Sequence, residues 1–97
     1  MSIPIEWDAA KAATNLHKHG VSFELASLAF IDPFAMTAQD RIESGERRWQ
    51  TLGLVEACLL VLVAHTVRDE NGAEVIRIVS ARKATRKERQ RYENENR

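Results

Sequence analysis

Seven basic side chains fall within sixteen residues: Arg77, Arg82, Lys83, Arg86, Lys87, Arg89 and Arg91, with Glu88 as the one acidic side chain among them. They are half of the chain's 14 Lys and Arg. Charge concentrated in this way binds phosphate or an acidic partner, or else forms a solvated face. Arginine suits phosphate because its planar fork can hold two oxygens at once. Arg77 alternates with Val75 and Val79, so its charge is held close to a strand. It is read either as an oxyanion ligand or as the partner of an Asp or Glu. Arg82, at the exit of the same strand, carries the same two readings. Lys83, Arg86, Lys87, Arg89 and Arg91 point to phosphate tracking or to contact with a protein partner.

The remaining candidates are scattered. His17 and His19 are two residues apart on a helical pattern, so they cannot share a metal as an i, i+4 pair does. His19 is either a helix-end cap or an acid–base group titrating near neutral pH. His65 is either a satisfied sheet residue or a group facing a cleft with Arg68 and Arg77. Glu88 reads first as a capping residue. Tyr92, one turn beyond it, either stacks on a nucleic-acid base or docks its polar helix on the sheet. Lys11 and Asn15 share a helical face that Lys18 extends. Trp7 and Trp49 read as core. No glycine-rich phosphate loop, zinc spacing or Ser–His–Asp order is present, and no metal or other cofactor is expected.

These residues need elements to position them. A strand is expected over residues 3–7. A helix follows over 9–19, with Asp8 as N-cap and Gly20 as its stop. Ser22 caps a second helix that ends at Asp32-Pro33, because the residue before proline leaves the α region. Residues 34–39 form a weak edge strand, and 40–46 a polar loop containing Ser44-Gly45. Period-two patterning marks a strand over 47–54. Residues 59–64 are apolar on both faces and should be central, continuing through His65, Thr66 and Arg68. Asp69 to Gly72 is a hairpin turn. The last strand, 74–81, sets Ile76, Ile78 and Ser80 on one face and Val75, Arg77, Val79 and Ala81 on the other. Thr85 and Glu88 make a capping box for a final helix reaching about residue 94. The expected architecture is α+β, in the order β-α-α-β-β-β-β-α. Its parts are a curved antiparallel sheet, two N-terminal helices and one basic C-terminal helix, within a single domain over 1–97.

Composition narrows the class. The chain has 97 residues, 44% hydrophobic and 29% charged, which argues against wholesale disorder. The net charge of zero averages two unlike parts. Residues 1–76 hold six basic against eleven acidic side chains, while 77–92 are strongly basic. Cys58 is alone, so no intrachain disulfide can form, in keeping with a reducing compartment. The first residues lack the basic and apolar regions of a signal peptide, and the longest apolar run is too short to span a bilayer. A cytoplasmic location is expected.

Two long motifs resemble a known family. Glu6-Trp7-Asp8, Lys11, Asn15 and the run Lys18-His19-Gly20-Val21-Ser22-Phe23-Glu24 are similar to the opening of BrnT toxins. The run from Ile76 to Arg89, with Tyr92-Glu93 behind it, is similar to their ending. The resemblance implies a RelE-like fold and a bacterial ribonuclease toxin of a type II toxin–antitoxin pair. It implies RNA as substrate and a BrnA-type antitoxin that neutralises the toxin and represses the operon through its DNA-binding domain. Metal-free RNA cleavage needs a base for the 2′-hydroxyl, cations for the crowded phosphate and an acid for the leaving 5′-oxygen. On that reading Arg77, Arg82, His65 and His19 are the catalytic candidates. Lys18, Arg68, Lys83, Arg86, Lys87, Arg89 and Tyr92 are the RNA-binding ones. A non-enzymatic module that binds nucleic acid or protein through the basic helix is the alternative.

Overall fold

A computed structural model describes residues 3–43 and 45–96. Ser44, in the expected polar loop, lies outside the described residues. Five strands form one sheet in the order β1-β5-β4-β3-β2. They are β1 (Ile5–Trp7), β2 (Met36–Glu43), β3 (Glu46–Glu56), β4 (Leu59–Glu70) and β5 (Ala73–Lys83). The helices are α1 (Ala9–His19), α2 (Phe23–Ser27), continued by a 3-10 turn over Leu28–Ile31, and α3 (Arg86–Glu95). No helix among the described residues is long and apolar enough to cross a membrane.

Local signals set the helix ends. The Asp8 carboxylate accepts from the Ala10 and Lys11 amides at 2.8 and 3.1 Å, and Gly20 closes α1 in the left-handed region at φ 73°. Both bonds of the Thr85–Glu88 capping box are present. The second helix departs from expectation by tightening into a 3-10 turn before Asp32. Here Gly53 of β3 comes against Ala29 so closely that a Cβ on Gly53 would lie 2.7 Å from the Ala29 carbonyl oxygen.

The sheet is mixed, which corrects the all-antiparallel expectation. β1 pairs with β5 in parallel, Ile5 opposite Ile76 and Trp7 opposite Ile78. The other neighbours are antiparallel, with β4 at the centre as its two-sided apolar pattern requires. β2 starts later and runs longer than expected, and its hairpin with β3 absorbs most of the polar loop.

A bulge corrects the faces assigned to β5. The register with β4 steps from Ala64–Ser80 to His65–Ile78, so Val79 is the extra residue. Ala81 therefore joins Ile78 beneath the helices, and Ser80 and Arg82 turn to the face that carries Arg77. The main core on the helix side contains Val21, Phe23, Ala26, Ala29, Val55, Val61, Val63, Ile78 and Ala81. A smaller cluster on the opposite face joins Leu52, Leu60 and Leu62 to Met36, Leu54, Ala84 and Tyr92. That cluster seats α3.

Candidate active site

Beyond α3 the second sheet face is polar, and strand register orders it. Glu6, Arg77, Thr66, Arg48 and Arg41 are successive neighbours across all five strands. Residues directly opposite each other point to the same side. Three arginines and one carboxylate therefore share a row. Arg68 reaches the same carboxylate from two residues further along β4. Its guanidinium donates to both Glu6 oxygens, at 2.8 and 2.9 Å, and to Glu70 at 2.7 Å. Arg77 donates to Glu6 Oε2 at 2.8 Å. The Arg68 and Arg77 bonds hold the Glu6 carboxyl down at about 2, and Glu6 with Glu70 holds Arg68 above its ordinary value. The Arg77 side chain remains 40% exposed, so it can still meet a ligand.

Arg82 occupies the border between this row and α3. Its two terminal nitrogens donate to the two Glu88 oxygens at 2.9 and 3.0 Å. The Arg82 bond, aided by the Thr85 amide, outweighs burial and holds Glu88 at about 2. The pair in turn raises Arg82. Glu88 is thus both cap and ion partner. Tyr92 packs on the Leu52–Leu60–Leu62 cluster and donates to Asp32 Oδ2 at 2.6 Å. Of its two sequence readings, these contacts match the docking one. Arg89 donates to the Cys58 carbonyl at 2.9 Å. The side chains of Lys83, Arg86, Lys87 and Arg91 are exposed and make no hydrogen bond or ion pair among the described residues.

A groove of about 390 Å³ flanks the edge of β5, lined by Lys11, Asn15, Lys18, His19, Val79 and Ser80 among others. It brings Lys18 and half-buried His19 beside Ser80, which lies on the arginine face. Asn15 is a clamp. Its amide donates to Ala81 O at 2.8 Å and Val21 O at 3.1 Å, and its oxygen accepts from the Ala81 amide at 3.1 Å. That satisfies the β5 edge where β1 has ended.

His65 is not brought together with Arg68 and Arg77. It lies on the helix-side face, 3% exposed, with Nε2 at 2.8 Å from Thr51 Oγ1 and its ring edge-on to Phe30. Burial pushes its pKa down to about 4. Among the described residues no three His, Cys, Asp or Glu side chains are grouped to hold a metal.

Sequence reasoning missed Glu6, Arg48 and Arg41 as members of the row. The signal for Glu6 was its place between the apolar Ile5 and Trp7, which turns it away from the core. Nothing in the sequence announced that five strands would align these residues.

A sheet with α1 and α2 on one face and an arginine row beside α3 on the other fits recognition of a phosphate chain. The family model for the ribonuclease toxin BrnT of type II toxin–antitoxin systems matches residues 7–88, so the chain belongs to that family. Among solved structures it is similar to the Brucella abortus ribonuclease toxin BrnT, with a TM-score of 0.66 and 22% identity. The match covers 88% of this chain and 100% of that one, which establishes the shared fold. No curated protein matches the chain.

Proposed function

We propose that the chain is an endoribonuclease that cleaves RNA without a metal ion and so inhibits translation and growth. The observation that carries this reading is the row of Arg77, Arg48 and Arg41 on one sheet face, with Arg68 and Arg82 beside it, in a member of a ribonuclease-toxin family. The 2′-oxygen attacks the adjacent phosphorus, a 2′,3′-cyclic phosphate forms, and the 5′-oxygen leaves with a proton. Arg77 and Arg82 bind the non-bridging oxygens and stabilise the charge that builds there, and Arg68 holds a flanking phosphate. In the free protein these three are engaged by carboxylates. Phosphate competes with Glu6 for the Arg77 and Arg68 guanidinium faces, while Glu88 stays on Arg82 and orients it, and Glu6, once released, becomes more basic. His19, in the groove at the β5 edge, is the candidate proton-transfer group on that flank. His65, on the other face, takes no part. Lys18, Lys83, Arg86 and Lys87 extend the phosphate track.

The partner is a BrnA-type antitoxin that neutralises the toxin and carries the DNA-binding function of the complex. The site of action is the bacterial cytoplasm, where RNA is met. Induced expression in growing bacteria tests this reading, with growth and RNA integrity followed together. Growth arrest with RNA fragmentation is expected, relieved by co-expression of the antitoxin. Arrest with intact RNA bound to the protein indicates the non-enzymatic alternative.

A further inference from the structure

We propose that Asp32 is a positioning residue for the Arg82 end of the cationic face, acting through Tyr92 and α3. The inference rests on the reading of that face as the RNA site. It begins from the weakness of α3, which has no buried residue and whose large apolar contact is Tyr92. A helix this polar is not held by burial. Its other side-chain ties to the body among the described residues are Arg89 to the Cys58 carbonyl and Asn96 to the Phe34 carbonyl, both exposed, and the part-buried Glu88 to Arg82.

Asp32 is itself fixed. One carboxylate oxygen accepts from the Phe34 amide at 3.0 Å, and the other from the Leu54 amide at 2.8 Å. The second oxygen also takes the Tyr92 hydroxyl at 2.6 Å. Burial opposes its charge, but the Leu54, Tyr92 and Phe34 donors outweigh that and keep it ionised. A charged acceptor locked to two backbone amides is a rigid post for a hydroxyl. Tyr92 and Glu88 are four residues apart, on one side of α3. Fixing the Tyr92 hydroxyl therefore fixes the helix rotation that presents Glu88 to Arg82. The chain of contacts runs Asp32, Tyr92, Glu88, Arg82.

Tyr92→Phe removes the hydroxyl and keeps the ring on the Leu52–Leu60–Leu62 cluster. With RNA in excess, kcat is expected to fall about tenfold with KM little changed, because a displaced guanidinium loses transition-state contact. In an Arg82→Ala background the same substitution should change cleavage no further. Effects that multiply, or an unchanged kcat in Tyr92→Phe alone, overturn the proposal, since a merely structural loss acts in both backgrounds. A nitroxide on Cys58, the chain's one cysteine, gives a readout that does not need activity. Its motion should increase in Tyr92→Phe as the neighbouring α3 loosens, and an unchanged spectrum overturns the proposal. If the wild-type chain leaves RNA intact, the reading of the face as an RNA site fails, while the label still decides whether Asp32 and Tyr92 hold α3.

Discussion

Replacing Asn15 by Ala removes the side chain that hydrogen-bonds α1 to the free edge of β5. Asn15 is 6% exposed and makes three hydrogen bonds, two to Ala81 and one to Val21. At about 1 kcal/mol net for each bond, the loss is about 3 kcal/mol, and more if the backbone groups stay dry and unpaired. A domain of this size loses roughly 4–8 °C of Tm per kcal/mol, so the melting temperature should fall by more than about 10 °C. Thermal unfolding followed by circular dichroism, beside urea titration, measures it. Lys18→Ala, on the exposed flank of the same helix, is the control and should stay within about 0.5 kcal/mol. Asn15→Ala melting within about 1 kcal/mol of the wild type would refute the clamp. A stable Asn15→Ala protein that had lost cleavage would move Asn15 from the scaffold to the site.

Three further outcomes follow from contacts and charges. Gly53→Ala brings a Cβ within 3.0 Å of three Ala29 atoms, two of them backbone, and should cost about 1–3 kcal/mol in denaturant unfolding, against none if the turn moves freely. Tyr92, the only tyrosine, is pushed up to about 12 by burial, its bond to Asp32 and that carboxylate's charge. Its stabilising contribution is complete below pH 10 and lost as pH rises through 12, and a phenolate absorbance midpoint near 10 in the folded protein would contradict it. His65, Glu6 and Glu88 all titrate below their unfolded values. The contribution of His65 is therefore complete above pH 6.5 and lost down through about 4, and those of the carboxylates are lost between about 4.5 and 2. Stability that stays flat from pH 6.5 to 4 would argue against a buried neutral His65.

The sequence revealed what is local and hid what is not. Asp8, Gly20, Ser22 and the Thr85–Glu88 box act within one turn of themselves, and the helix ends they announce are the ones observed. The apolar run through Leu62 and Val63 named the central strand because both its faces are covered. Parallel pairing of β1 with β5 joins residues about seventy apart and leaves no local trace. The bulge at Val79 depends on the β4 register, so alternation alone put Ala81 on the wrong face. Arg77 was legible as a charge held on a strand, with both a phosphate and a carboxylate as possible partners, and the carboxylate it meets is Glu6. Glu88 was legible as a cap, but its bond to Arg82 depends on how α3 leaves the sheet. Asp32 read as a helix stop, and its role as a post for Tyr92 needed the fold.

Incubation of the purified chain with labelled single-stranded RNA in excess EDTA, with Arg77→Ala beside the wild type, tests the central claim most directly. Cleavage by the wild type, leaving 2′,3′-cyclic phosphate ends, is expected to persist without metal. The Arg77→Ala rate should drop about 100-fold or more while the melting temperature stays close to the wild-type value. RNA left intact by the folded wild-type protein, or cut equally fast by Arg77→Ala, would contradict the assignment of the arginine row as the catalytic face.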